Sequence, residues 1–477
     1  MSSNNRTPLS ARRLREELVG LSVEVPVLSG GMRRYVNLDN ASSTPPFRPV
    51  LDKVEEFLEF YSNVHRGTGF KSQLASAAID ESRRIVARFV KADPEHDTVI
   101  FTKNTTESLN KLARLYPFRP GNLILTTLME HSSNELPWRR AARVEHIGVR
   151  PDGSLDMEDC ASKLKQYAGR VDLVCVAGAA NVTGWVNPVN RLAAMAHEAG
   201  AKIAVDAAQS AAHRPIDMKP HGDPEHIDFL AFSAHKIYAP FGVGVLAGDR
   251  ASLARGEPEL VGGGTVDLVT EQEVLWRGLP AREEAGTPDT VGVVALAATL
   301  RLLEAVGWEQ IVAHEDELAR YMLERMAGIP GVRIVGKADA TDVSDRLGVV
   351  AFNVGDLSHG LVAAILSYEG AVGVRNGCFC AHQYVLRMLG VGAREAARLA
   401  DELRGRDRTN VPGTVRASIG VYNDRSDIDA LSDCLAMVSE GRYEGRYRFC
   451  RETGAYAPEG VSCFDTGRFF SLDPRLV

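Results

Sequence analysis

A lysine and an aspartate, each at the end of a short apolar run, carry the most chemistry in this chain. Residues 201–209 read A-K-I-A-V-D-A-A-Q and residues 227–236 read I-D-F-L-A-F-S-A-H-K. The first run ends at Asp206 and Gln209, the second at Ser233, His235 and Lys236. Runs of this length and polarity are buried in parallel sheets, and ligands bind where such strands end. A lysine just past a buried strand is costly unless it has a partner or a covalent role. An aspartate at the end of a neighbouring strand suits a cationic ring nitrogen. The pair points to a lysine Schiff base with pyridoxal 5'-phosphate, whose pyridinium proton the carboxylate would hold. For Lys236 alone, an ion pair at a sheet edge explains as much. The four companions at fixed offsets are what favour the cofactor.

A second constellation is a pair of cysteines. Residues 371–384 read A-V-G-V-R-N-G-C-F-C-A-H-Q-Y, so Arg375 and Gly377 precede Cys378 and Cys380. Three readings compete. A metal site from Cys378, Cys380 and His382 is disfavoured, because structural zinc wants four ligands and usually C-x₂₋₄-C spacing. Two inert small residues in a loop are the ordinary reading of cysteine. A nucleophilic thiolate is favoured by the neighbouring positive charge. Elsewhere, Thr105 and Thr106 in T-K-N-T-T-E stand where a strand passes into a helix. They can cap that helix or bind a phosphate at its N-terminus. The glycine-rich stretches 241–248 and 261–265 lack the strand, G-x-G-x-x-G and helix order of a dinucleotide site. Glycine there is expected to allow turns and backbone approach beside the lysine.

These motifs, in this order, resemble the class V aminotransferase fold, and within it the cysteine desulfurases and selenocysteine lyases. The resemblance runs from about Tyr35 to about Val438. It implies an α/β fold-type I pyridoxal-phosphate enzyme, with a mostly parallel central sheet in a large domain and a smaller α+β C-terminal domain. It implies that Thr105, Thr106, Ser233 and His235 hold the phosphate, and that Thr287 in G-T-P reaches the phosphate of the other subunit of a homodimer. His131, in M-E-H-S-S-N, would lie flat on the ring and shuttle protons. Asn181 would sit near the ring's phenolic oxygen and the substrate, and Gln209 would bond that oxygen. Arg375, Gly377 and Cys380 match the Arg-x-Gly-x-x-Cys of group II desulfurases, making Cys380 the sulfur acceptor and Cys378 an extra. Arg416, in V-R-A-S-I-G-V-Y-N, matches the arginine that clamps the substrate carboxylate, with Arg375 beside it. The implied reaction converts L-cysteine to L-alanine with a persulfide on Cys380, which a sulfur-acceptor protein could receive. The chain departs from the family in two places. Residues 381–415 are longer than the family's connection, and Cys-Phe replaces its paired histidines. Rival readings are therefore a C–S lyase acting by β-elimination, a selenocysteine lyase, another pyridoxal-phosphate reaction such as epimerisation or decarboxylation, or a non-catalytic scaffold.

The elements that must position these groups are legible as texture. D-T-V-I-F-T, N-L-I-L-T-T, V-D-L-V-C-V-A, K-I-A-V-D and H-I-D-F-L-A-F read as strands, with T-T-E-S-L-N-K-L-A-R-L and N-P-V-N-R-L-A-A-M-A-H-E-A-G as helices between them. This alternation means βαβ units. From about 292 the texture becomes α+β: helices at 292–305, 307–326 and 358–368, strands V-R-I-V and G-V-V-A-F-N-V, and a helix in the long connection at A-R-E-A-A-R-L-A-D-E-L-R. The expected divisions are an N-terminal segment 1–34, a large domain 35–291, a small domain 292–440 and an extension 441–477. Residues 10–20 read as a helix capped by Ser10 and ended by Gly20. The 477 residues are 45% hydrophobic and 25% charged, with net charge −7 and pI about 6.0. That is globular composition without the basic signature of nucleic-acid binding. With no long apolar stretch and no signal-peptide core, no membrane association is expected. Seven scattered cysteines suggest a reducing cytoplasm rather than a disulfide framework.

Overall fold

The structure, a computed structural model, describes residues 11–64, 67–460 and 466–473. Ser10 and Cys463 fall outside the described residues; the helix that Ser10 was expected to cap runs Ala11–Glu16.

Seven strands form the large sheet: β1 (Asp97–Thr102), β2 (Leu123–Thr127), β3 (Arg143–Ile147), β4 (Val171–Ala177), β5 (Lys202–Asp206), β6 (Phe229–Ser233) and β7 (Gly244–Asp249). Their order across the sheet is β1-β7-β6-β5-β4-β2-β3. The ladders from β3 to β6 are parallel, and β7 alone runs antiparallel between β6 and β1. Every residue of β4 is buried, as expected of a strand covered on both faces by helices. The apolar runs were therefore readable in sequence, whereas β3 was not. It is an edge strand of mixed polarity, R-V-E-H-I, and only Ile147 is buried.

The stretch 241–248 corrects an expectation. It is not a turn but mostly strand β7, in which the buried run V-L-A stands between Gly244 and Gly248. The expected close approach is present. A Cβ on Gly244 would meet the Asn104 backbone at 2.5 Å, so the glycine lets β7 lie against the loop after β1. The run 226–232 is trimmed at its start, since β6 begins at Phe229.

Among the helices, α1 (Phe70–Val90) and α2 (Thr105–Leu115) belong to the large sheet's layers, as does α3 (Val189–Glu198). Helix α3 ends as anticipated before Gly200, at φ +77°. Helices α4 (Thr290–Val306) and α5 (Trp308–Ala327) meet at an 82° bend, where Gly307 takes φ +89°. No single helix among the described residues is long and apolar enough to cross a membrane. The buried face of α4 packs into the large core with α1, so the expected boundary at 292 falls inside a helix of that core. A second core gathers Leu318 and Met322 of α5 with Phe352, Val415 and Leu435, and draws back Val36 and Leu38. Its antiparallel sheet has four strands, β8 (Val332–Val335), β9 (Val349–Val354), β10 (Arg375–Gly377) and β11 (Thr414–Ser418), in the order β8-β9-β11-β10. Helix α6 (His359–Tyr368) packs on it. Helix α7 (Ala393–Arg404), inside the long connection, is mostly exposed and buries only Leu399. The extension forms a hairpin, Tyr447–Cys450 with Ala455–Pro458, lying on α6.

Candidate active site

The carboxyl ends of β2, β4, β5 and β6, the N-terminus of α2 and the segment from β10 to Cys380 enclose a cavity of about 560 Å³. Lys236, Asp206, Gln209, Ser233, His235, Thr105, Thr106, His131, Asn181, Arg375, Cys380 and Arg416 all line it. Residues spread over more than three hundred positions thus converge as the sequence reading required. Thr287 does not. It lies in a separate cleft of about 290 Å³ with Asn63, Val64, Gly264 and Arg277.

The α2 end of the cavity is built from hydroxyls. Asn104 caps α2 by accepting from Glu107 N at 2.9 Å. Thr105 donates its N–H to Ser233 Oγ at 2.8 Å, and the two hydroxyls share a 2.6 Å bond. Thr106 Oγ1 pairs with Ser133 Oγ at 2.7 Å, and Ser133 also meets His131 Nδ1 at 3.1 Å. Hydroxyls at a helix N-terminus make an anion site.

Lys236 lies just past β6, at the end of a single 3₁₀ turn. Burial lowers its pKa to about 8; Asp206 opposes that shift and Arg416 adds to it. Burial likewise takes His131 and His235 down to about 4, helped in both by the Lys236 charge. Both imidazoles are therefore neutral at neutral pH. Asp206 shows the reverse. Burial raises its pKa, partly offset by the Ala208 N–H at 2.9 Å and by Lys236. A carboxylate so placed is short of positive charge. Gln209 is anchored through Nε2 to Ala41 O at 2.8 Å.

At the other end stand the two arginines. Arg416, 2% exposed, donates to Asn181 O at 2.8 Å, Ser42 Oγ at 2.7 Å and Asp39 Oδ1 at 3.1 Å, and lies over the Phe379 ring at 4.8 Å. Its Nε has no partner. Arg375 grips the same carboxylate, Asp39 Oδ2, at 2.8 and 3.0 Å. Sequence reading missed Asp39 and Ser42. Both belong to an N-terminal loop nearly four hundred residues from Arg416, and nothing local marks them. It also missed Glu130, which is buried beneath the His131 loop. Glu130 accepts from Thr127 Oγ1 at 2.5 Å, Asn134 Nδ2 at 2.6 Å and Ala177 N at 3.0 Å, and so ties that loop to β4.

The two cysteines separate cleanly. Cys378 is buried, its thiol donating to Pro412 O at 3.2 Å, and burial pushes its pKa up to about 11. Cys380 is exposed at the cavity. Phe379 and Cys380 both take left-handed backbone, φ +50° and +55°. Asn181 Nδ2 holds Phe379 O at 2.8 Å, while Ser132 holds Cys380 O through N and Oγ at 2.7 and 2.8 Å. Strained backbone of this kind persists where surrounding contacts over-determine it.

The profile of the aminotransferase class-V family matches residues 36–431. The chain belongs to that family. A cysteine desulfurase of Haloferax volcanii is 35% identical over 414 residues, 85% of this chain and 89% of the relative. An apo structure of cysteine desulfurase from Thermococcus onnurineus NA1 superposes with a TM-score of 0.75 at 34% identity, covering 85% of this chain and 95% of that one. The cysteine desulfurase CsdA of Escherichia coli has a TM-score of 0.75 at 27% identity and is covered completely, against 92% of this chain. These likenesses agree with the α/β class and mostly parallel central sheet expected from the motifs.

Proposed function

We propose that the protein is a pyridoxal-phosphate-dependent cysteine desulfurase. The observation that carries this reading is one cavity lined by Lys236, Asp206, Arg416 and an exposed Cys380, with the second cysteine buried and inert. The donor set fits the cofactor. The hydroxyls of Thr105, Thr106 and Ser233 at the start of α2 suit a phosphate. Asp206, whose pKa burial has raised, suits a protonated ring nitrogen, which would supply the positive charge it lacks. Neutral His131 suits a place against a ring.

When bound, pyridoxal phosphate withdraws electrons from the carbon skeleton of an amino acid. The chain's residues do the rest. Lys236 Nζ, its pKa near 8, releases and takes up a proton readily at neutral pH, and it moves the α-proton of the substrate. Arg416 and Arg375 receive the substrate carboxylate. Cys380 Sγ, as the thiolate, attacks the substrate sulfur. An S–S bond forms, the Cβ–S bond breaks and its electron pair stays with the carbon skeleton, which protonates to alanine. The balance is L-cysteine plus a thiol giving L-alanine plus a persulfide. Exposure of Cys380 supports passage of that sulfur to an acceptor protein. The position of Thr287 outside its own chain's cavity, together with the exposed Leu268, Val269 and Leu275, supports a homodimer in which it serves the other subunit. The six described cysteines are free, which supports a reducing cytoplasmic setting.

The test is product analysis with L-cysteine and intact-mass measurement. Wild type should yield alanine and gain one sulfur, whereas Cys380→Ala should bind cofactor and cysteine yet yield neither product. Cys378→Ala should keep most activity. Pyruvate and ammonia, with normal turnover by Cys380→Ala, would establish the β-eliminating lyase instead.

A further inference from the structure

Three residues meet at the opposite end of the large sheet, each with a buried side-chain atom that has no partner among the described residues. Asp97 opens β1, while Thr102 at its far end adjoins the cavity loop. Five residue steps of strand separate them, roughly 17 Å. Asp97 is 4% exposed and His226 is 1% exposed. Asp97 Oδ1, His226 Nε2 and His221 Nδ1 are each buried with no hydrogen-bond partner. The three residues each bring one candidate ligand atom to within 4.8 Å of the other two. Orphaned buried polar atoms are individually costly, and three such residues meeting at one point make an arrangement that a shared cation resolves.

The surroundings hold each group in a ligating form. Asp97 Oδ2 is already occupied, accepting Asp93 N at 2.8 Å, which leaves Oδ1 to face the histidines. His226 Nδ1 donates to the carbonyls of Met218 and Lys219 at 3.0 and 2.8 Å. A ring nitrogen that donates to carbonyls leaves its partner nitrogen with a free lone pair, the usual support of a metal-bound histidine. His221 is fixed through its backbone, N to Asp93 Oδ2 at 3.1 Å, and its ring stacks on His96 at 4.9 Å and 18°. Burial raises the pKa of Asp97, with His226 and His221 among the groups opposing.

We propose that Asp97, His221 and His226 form a binding site for a divalent transition-metal ion of the zinc class, with an open fourth position for water. Two imidazoles and a carboxylate are a common donor set for such an ion. Ligand atoms around a tetrahedral zinc stand about 3.4 Å apart, so closure asks for small side-chain movements. The ion would clamp the loop between β5 and β6 to the start of β1. That loop is already folded on itself, Ile227 N to Met218 O at 2.8 Å, and it leads directly into the strand that carries Lys236.

The experiment uses the full chain loaded with pyridoxal phosphate, titrated with zinc alone and then dialysed, with metal counted by elemental mass spectrometry. Wild type should retain about one zinc per chain and melt at higher temperature with zinc. Asp97→Asn keeps an oxygen for the Asp93 N–H and should fold, yet bind zinc at least tenfold more weakly and lose the melting shift. His221→Gln, at the more accessible edge, should behave alike. Cobalt in place of zinc should give d–d absorption without a sulfur-to-metal charge-transfer band, because the proposed site has no thiolate. The inference is overturned if wild type retains no more zinc than Asp97→Asn, or if the cobalt carries a thiolate band and survives in Asp97→Asn.

Discussion

Lys236 is a residue whose chemistry its environment alters. A lysine in water holds its proton to pH 10.5; burial brings this one to about 8. The neutral amine is the form that reacts with an aldehyde. Its fraction therefore climbs about tenfold per pH unit below 8 and levels off above it. Covalent loading of apo-protein with pyridoxal phosphate, followed by absorbance, should accelerate from about pH 6 to pH 8 and then flatten. A rate still climbing beyond pH 10 would show an ordinary lysine and remove the electrostatic account. Borohydride reduction and peptide mapping should place the label on Lys236. The same scale separates the cysteines. Arg375, two residues before Gly377, is a sign of a thiolate site in sequence, its offset favours Cys380, and burial agrees by closing off Cys378 while Cys380 stays exposed.

At the scale of elements, the site depends on how closely β7 lies against the loop that starts α2. Gly244 makes this possible, since a Cβ there would come within 2.5 Å of the Asn104 backbone, a distance that forces movement of the cap. Gly244→Ala should therefore shift the N-terminus of α2 and its hydroxyls. Pyridoxal phosphate should bind at least tenfold more weakly, about 1.4 kcal/mol, while pyridoxal lacking the phosphate should be affected much less. Equal loss for both ligands would mean that the glycine acts on the fold and not on the anion site. Sequence reading took this glycine for part of a turn. Glycine weakens strand propensity, and the V-L-A residues were too few to outweigh it. Helix α7 shows the converse. Its periodicity announced it plainly, yet its largely exposed position follows from the fold alone.

At the scale of the whole molecule, every residue expected at the site lines the one cavity except Thr287. The homodimer reading assigns that threonine to the other subunit. Mixing Lys236→Ala chains with Thr287→Ala chains, each impaired alone, should restore part of the activity after subunit exchange, because one site in each mixed dimer is then intact. A mixture in which exchange is confirmed and activity stays absent would assign Thr287 a role within its own chain's cleft. The large and small cores also share their polypeptide in a way that texture did not reveal. Val36 and Leu38 pack with residues beyond Leu318, while α4 stays with the large sheet.

The proposed cofactor chemistry, the strand ends that would present it and the candidate thiol were all legible in the sequence. Those signals are local: an apolar run of strand length, a polar residue at its end, a glycine and an arginine beside a cysteine. Long helices such as α4 and α5 were legible for the same reason, since their periodicity extends over several turns. The tertiary structure alone decided what requires distant partners. Asp39 joins Arg375 and Arg416 across more than three hundred residues. Glu130 satisfies donors from three segments, and Cys378 sinks while Cys380 stays open. The edge strand β3 takes its conformation from pairing with β2, as its own pattern is nearly polar. The meeting of Asp97 with His221 and His226 was likewise beyond reach of spacing. The carboxylate stands on a strand and the imidazoles on a crossover loop more than a hundred residues later, and only the packing of that loop against β1 brings the three side chains together.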